Sequence, residues 1–176
     1  PICLIIMIRQ LLDHVTQDEI NLIVNMIIEQ YARYDILTNS EDFQILFSDE
    51  YAPHNRQHSI SWAISSAFPS NTTVGNKLSI SCYKYSRNFT RPLLFNDKIN
   101  ILILNKTTHL NAKYLKRFYS MNSNNFCNNK IFCFFKFSVD NKKLTKISLC
   151  LPDDNGNIIQ EEELLNKSQI EMRLVA

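Results

Sequence analysis

A short segment near the middle of the chain alternates cationic and aromatic side chains. Its members lie between positions 83 and 91, and they are Tyr83, Lys84, Tyr85, Arg87, Phe89 and Arg91. Sites for single-stranded nucleic acid use this mixture, because cations bind the phosphates and aromatic rings stack on unpaired bases. Basic residues near strand ends also protect a sheet edge against aggregation. The alternation therefore indicates a binding surface or a protected edge.

A second basic group follows at Lys113, Lys116 and Arg117. Steps of three and four residues place these side chains on one face of a helix, or on adjoining faces. Such a face is often simply solvated. Together with the first group, it predicts a surface that contacts nucleic acid or an acidic protein partner.

Charge is strongly segregated along the sequence. The balance of basic over acidic residues is −6 in residues 1–75, +12 in residues 76–146 and −4 in residues 147–176. A polyanion would be steered toward the middle segment if its cations reach one accessible face. The acidic amino-terminal half would instead cancel that charge if it folds across them.

Several kinds of catalytic and cofactor site are excluded or disfavoured. Gly75 and Gly156 are the only glycines, which excludes phosphate-binding loops and dinucleotide fingerprints. His54 and His58 are spaced for a helical metal site, but no Glu follows His54 as in the zinc-protease pattern. The run 153–157 resembles a calcium loop with its glycine misplaced, and we interpret it as a turn. We expect no cofactor and no metal.

The sequence does not decide whether the protein is an enzyme. One alternative is a small enzyme with a pocket between helices and sheet, using His109, Cys127 or Trp62. Another is a protein-interaction inhibitor encoded by a mobile element. Asn, Ile and Lys, whose codons are AT-rich, are over-used, which indicates a bias of the genome and not a mechanism. A broad exposed apolar patch would favour that inhibitor.

Two helices are predicted in the amino-terminal half. Thr16 and Glu19 have the spacing of a capping box, and an apolar stripe follows as far as Tyr31. The second helix is expected over 54–68, ended by Pro69. The apolar run 2–8 is interpreted as a further helix, and it is much shorter than the ~20 residues that a membrane span needs.

From residue 77 onward the apolar pattern changes to the two-residue period of strands. Strands are predicted near 78–83, 99–104, 130–139 and 144–151, with a short one at 158–159. A helix is expected at 110–121, and a final turn or two of helix at 161–168. The fold class is therefore α+β, a single domain over 1–176 with N-terminal helices packed on a mainly antiparallel sheet of four to five strands and one inserted helix.

The five cysteines indicate a reducing compartment. Their number is odd, they contain no Cys-x-x-Cys pair, and Cys82, Cys133 and Cys150 lie in apolar runs typical of buried thiols. We therefore expect a cytoplasmic protein. The leading hypothesis is a non-enzymatic binding protein whose basic, aromatic-interleaved face contacts nucleic acid or an acidic protein surface.

Overall fold

The computed structural model describes residues 13–38, 52–68, 77–86, 89–105, 130–140, 143–153 and 157–175. Within them the chain forms three helices and six strands, which confirms the α+β class. The helices are α1 (Gln17–Thr38), α2 (Ala52–Ala67) and α3 (Lys167–Val175). The strands are β1 (Ser79–Ser86), β2 (Phe89–Phe95), β3 (Ile99–Asn105), β4 (Ile131–Asp140), β5 (Lys143–Pro152) and β6 (Ile158–Asn166).

The six strands form one sheet in their order along the chain, from β1 to β6. Every neighbouring pair is antiparallel except β3 and β4, which run parallel. The prediction of four to five strands was therefore wrong by at least one strand. The missed strand is β2, where Pro92 interrupts the apolar run; proline has no N–H to donate and is usually confined to edge strands and bulges.

Helix α1 begins where the sequence predicts. The Thr16 hydroxyl accepts a hydrogen bond from the backbone N–H of Glu19 at 3.1 Å, and the Glu19 carboxylate accepts one from the backbone N–H of Thr16 at 2.9 Å. This reciprocal pair is the predicted capping box. The apolar stripe behind it is buried throughout, and its members are Ile20, Ile23, Val24, Ile27, Ile28 and Tyr31.

The helices cover one face of the sheet. Helix α2 packs on α1 and on strands β2 and β3, while α3 packs on α1, β5 and β6. Ile60 and Ile64 of α2 are fully buried in the same apolar cluster as Phe135 and Phe137 of β4. Tyr31 meets the Phe137 ring edge-on, with centroids 5.6 Å apart. This cluster is the core that fixes the helical layer on the sheet.

The opposite face of the central strands is buried as well. Leu102 on β3 and Phe132 and Phe134 on β4 are each less than a tenth exposed, and they lie outside the helix-facing cluster. Strand β3 therefore has buried side chains on both faces, as predicted for a central strand. Parallel pairing of β3 with β4 is consistent with this, because parallel strands are usually buried on both faces.

The carboxy-terminal segment differs from the prediction. Residues 161–166 continue strand β6 instead of forming helical turns, and helix α3 begins only at Lys167. The helix starts with a reciprocal cap: the backbone N–H of Gln169 donates to Asn166 Oδ1 at 3.1 Å, and the backbone N–H of Asn166 donates to Gln169 Oε1 at 3.0 Å. The Asn-x-x-Gln spacing in the sequence is therefore the local signal for the start of α3.

Some sequence predictions concern residues outside the described ranges. These are the apolar run 2–8, the inserted helix at 110–121, and the positions of His109 and Cys127. The single-domain assignment also stays a prediction. Among the helices that the structure describes, none combines the length and the apolar character needed to cross a bilayer.

Candidate nucleic-acid interface

The first basic and aromatic group, apart from Arg87, has its backbone on the paired strands β1 and β2, which we call the β1–β2 ribbon. The register places Tyr83 opposite Arg91, Lys84 opposite Thr90 and Ser86 opposite Phe89. A bulge between Lys84 and Ser86 interrupts the pairing near the turn. Positions that are distant in sequence, such as 83 and 91, thereby become neighbours on one two-stranded element.

The structure describes the backbone of most of the first predicted group and of none of the second. Backbone positions are described for Tyr83, Lys84, Tyr85, Phe89 and Arg91, all within the β1–β2 ribbon. Arg87 lies outside the described ranges. Lys113, Lys116 and Arg117 also lie outside them, so their part in an interface stays a prediction.

The β1–β2 ribbon and the acidic strand β6 occupy opposite ends of the sheet. Strand β6 carries Glu161, Glu162 and Glu163 in sequence, and β1 lies five strand positions away. At ~4.8 Å per strand this separation is about 24 Å. The screening length at physiological ionic strength is about 8 Å, so exposed charges on β6 contribute little to the potential at the ribbon.

Strand β6 instead neutralises cations of β4 and β5. Glu161 binds Lys146 Nζ at 2.6 Å and Lys136 Nζ at 3.3 Å. Partial burial alone raises the pKa of Glu161, but the hydrogen bonds and charges of Lys146 and Lys136 outweigh it and lower that pKa from 4.5 to about 2. The hydrogen bond to Glu161 in turn raises the pKa of Lys146. We call this set the Glu161 network.

The Glu161 network has the character of a structural ion-pair cluster. A general acid or base works best when its pKa lies near the working pH, and the pKa of Glu161 is far below neutrality. Both lysines of the network already contact a carboxylate from the acidic carboxy-terminal block. The network therefore removes part of the basic excess at β4 and β5.

The two described cysteines are buried thiols. Cys133 and Cys150 are 1% and 0% exposed. Burial, reinforced by the negative charge of Glu161, raises the pKa of Cys150 to about 12, and burial also raises the pKa of Cys133 far above its usual range. Since the thiolate is the nucleophile, neither side chain is prepared for covalent catalysis.

A cavity of about 240 Å³ lies between α1, the start of β5 and α3. Its lining is mostly apolar, with charged groups from each of the three elements. The lining residues are Ile28, Tyr31, Ala32, Asp35, Lys143, Leu144, Ile170, Glu171 and Leu174. Among the described residues of this lining there is no histidine or cysteine, and His109 and Cys127 of the enzyme hypothesis lie outside the described ranges.

The structure also bears on three other predictions from the sequence, which concern Trp62, the run 153–157 and metal binding. The side chain of Trp62 is 68% exposed and is not among the described lining residues of the cavity between α1, β5 and α3. Both carboxylate oxygens of Asp153 accept hydrogen bonds from Asn157, at 2.8 and 2.9 Å, in keeping with a turn. Across the ranges that the structure describes, no group of three or more His, Cys, Asp or Glu is arranged to hold a metal ion.

Comparison with known proteins gives no relative: no family model, curated protein sequence or solved structure matches this chain. The arrangement of its own residues is therefore the guide to what the protein does.

Proposed function

We propose that the protein binds single-stranded nucleic acid through the β1–β2 ribbon. The observation that carries the proposal is the register that pairs Tyr83 with Arg91 and Lys84 with Thr90 on one element of the sheet. A cation and an aromatic residue at facing positions supply phosphate binding and base stacking within a single short site.

The charge arrangement of the sheet supports the same proposal. The acidic strand β6 lies at the far end of the sheet from β1. The described cations that Glu161 neutralises, Lys136 and Lys146, belong to β4 and β5 and not to the ribbon. The two strands of the ribbon thus lie about 19 and about 24 Å from the main acidic strand, well beyond the screening length at physiological ionic strength.

Binding of a fluorescent twelve-nucleotide oligothymidylate to the full chain, followed by anisotropy, tests the proposal. Each phosphate neutralised on a single strand contributes a slope of about −0.7 in log K against log salt. With Lys84, Arg87 and Arg91 engaged, affinity should fall by about 20-fold between about 50 and 200 mM salt. Absence of binding at the lower salt, or binding independent of salt, would contradict the proposal.

Charge-reversal variants locate the site. The double variant Arg87→Glu/Arg91→Glu should abolish binding, because it replaces two cations of the first basic group, one of them on the ribbon, with carboxylates that repel phosphate. Lys143→Glu/Lys167→Glu is the control with the same change in net charge, since both residues are exposed cations away from the ribbon, on β5 and at the start of α3. Equal loss of affinity in the control would show that net charge, and not the ribbon, governs binding.

An acidic protein surface is the competing partner for the same cations. Polyglutamate of matched charge provides the comparison, because it has carboxylates but no bases to stack. Oligothymidylate should bind much more tightly than polyglutamate if the aromatic residues take part. Equal competition by polyglutamate would favour an acidic protein partner instead.

A further inference from the structure

The cavity between α1, the start of β5 and α3 has an apolar floor. Ile28, Tyr31, Leu144 and Ile170 line it, and each of these residues is less than a tenth exposed. Its volume of about 240 Å³ exceeds the ~150 Å³ of an engineered apolar cavity that binds benzene. The cavity therefore has room for an aromatic ring together with a short polar group attached to it.

A small residue of α1 helps to leave this space open. The lining positions 28, 31, 32 and 35 are spaced by three and four residues, so they share one face of the helix. Ala32 lies within this group and contributes only a methyl group. On the α3 side, Leu174 lines the cavity and is 51% exposed. The helices α1 and α3 thus leave the cavity open to solvent at Leu174.

The rim of the cavity carries charges of both signs. Lys143 of β5 and Glu171 of α3 line it, and both residues are exposed. Among the residues that the structure describes, neither forms an ion pair with the other or with a third residue. Asp35 of α1 adds a second carboxylate to the lining. A ligand in the cavity would therefore meet a cation and a carboxylate at the same opening.

This combination of an apolar floor and a rim of mixed charge restricts the ligand. Ligand sites are mostly apolar, and a few polar groups fix the orientation of what they bind. A purely anionic ligand would place its charge near Glu171, and a purely cationic ligand would place its charge near Lys143. Like charges brought together in this way disfavour both kinds of ligand. A zwitterion with an apolar body satisfies both rim charges.

We infer that this cavity binds a free α-amino acid with an aromatic side chain. The side chain occupies the apolar floor, the α-carboxylate binds Lys143, and the α-ammonium group binds Glu171. The inference is independent of the proposed nucleic-acid interface, because no described residue of the cavity belongs to the β1–β2 ribbon.

Titration of the isotope-labelled full chain with three related ligands, followed by NMR, tests the inference. The ligands are L-phenylalanine, hydrocinnamate, which lacks the ammonium group, and phenethylamine, which lacks the carboxylate. Phenylalanine should bind most tightly, and each analogue should bind about 2- to 5-fold more weakly, as expected for the loss of one partly exposed ion pair. The largest shifts should occur at lining residues such as Ala32, Leu144 and Ile170.

Charge-neutral variants assign each ligand group to its partner. Lys143→Gln should weaken phenylalanine and hydrocinnamate by about 2- to 5-fold and should not weaken phenethylamine. Glu171→Gln should weaken phenylalanine and phenethylamine and should not weaken hydrocinnamate. Lys167→Gln is the control, since Lys167 is an exposed cation of α3 that is not among the described lining residues. Ala32→Leu should abolish binding of all three ligands, because the larger side chain fills the cavity.

Three results would overturn the inference. Equal affinity for the three ligands would show an apolar pocket without recognition of the zwitterion. Unchanged binding in Ala32→Leu would place the ligand outside this cavity. Absence of shifts when the wild type is saturated with millimolar phenylalanine would show that the cavity does not take this ligand. Each of these results leaves the proposed function standing, because oligothymidylate binding is measured separately and depends on other residues.

Discussion

Glu19 Oε1 accepts a hydrogen bond from the backbone N–H of Leu78 at 2.7 Å, between residues 59 positions apart in the sequence. The other oxygen, Oε2, accepts hydrogen bonds from the backbone N–H and the hydroxyl of Thr16, both at 2.9 Å. Glu19 is only 2% exposed. One carboxylate thus closes the start of α1 and joins it to the residue that precedes β1.

Replacement of Glu19 should be strongly destabilising. In Glu19→Ala the buried N–H of Leu78 loses its acceptor and the capping box opens. Hydrogen bonds to a charged group are worth about 1.5–3 kcal/mol, so we expect a loss of about 3 kcal/mol in the free energy of unfolding measured with urea. Asp18→Ala is the matched control, because Asp18 is an exposed carboxylate in the same helical turn, and it should cost at most about 1 kcal/mol. Equal losses in the two variants would show that the bond to Leu78 contributes nothing.

The local half of this arrangement could be predicted from the sequence. Thr16 and Glu19 are three residues apart, and the apolar stripe behind them has helical spacing, so the start of α1 follows from local geometry alone. The bond to Leu78 could not be predicted, because it depends on where β1 begins relative to α1. Long-range partners of this kind are set by the packing of the whole core.

The difference between local sequence signals and long-range pairing also explains why the helical turns predicted at 161–168 are wrong for residues 161–166. Glu161, Glu162 and Glu163 have good helix propensity, and the sequence favours helix there. In the structure they pair with β5, where Lys146 lies close enough to bind Glu161. Tertiary pairing outweighs a propensity difference of a few tenths of a kcal/mol per residue. As for the candidate site, its residues could be selected by type, but only the strand register makes positions 83 and 91 neighbours.

The cap of α3 offers a second stability test. Asn166→Ala removes the oxygen that accepts the N–H of Gln169 and should cost about 1 kcal/mol in urea-induced unfolding. Lys167→Ala is the control at the first helical position, and it should change stability by less than about 0.5 kcal/mol. If both variants unfold like the wild type, α3 is held by Ile170 in the core and not by its cap.

Cys133 and Cys150 should not react with thiol reagents in the folded protein. Cys150 pairs in register with Phe134, the neighbour of Cys133, so the two thiols lie on adjacent strands and on opposite faces of the sheet. That geometry prevents a disulfide between them. In a variant whose other three cysteines are serine, Ellman's reagent should find no reactive thiol until denaturant unfolds the sheet, and then two. Rapid reaction under native conditions would contradict the burial of these side chains.

The Glu161 network should make stability depend on pH in the acid range. The pKa of Glu161 is about 2 in the folded protein and near 4.5 when unfolded. Because the folded value is the lower one, the stabilisation is fully present above about pH 5 and is lost as the pH falls toward 2. Without solvent screening, this difference in pKa would correspond to about 3 kcal/mol of unfolding free energy. We expect about 1 kcal/mol, because 26% of the side chain is exposed and solvent screens the pair.

Glu161→Gln isolates this contribution to the acid-range pH dependence. The variant should lose about 1 kcal/mol of unfolding free energy at pH 7, and its stability should decline less than that of the wild type between pH 5 and 2. High salt should shrink the difference, because the pair is partly exposed. Glu162→Gln is the control on the adjacent, opposite-facing position of β6 and should follow the wild-type profile closely. Parallel curves for Glu161→Gln and the wild type would mean that Lys136 and Lys146 do not hold this carboxylate in solution.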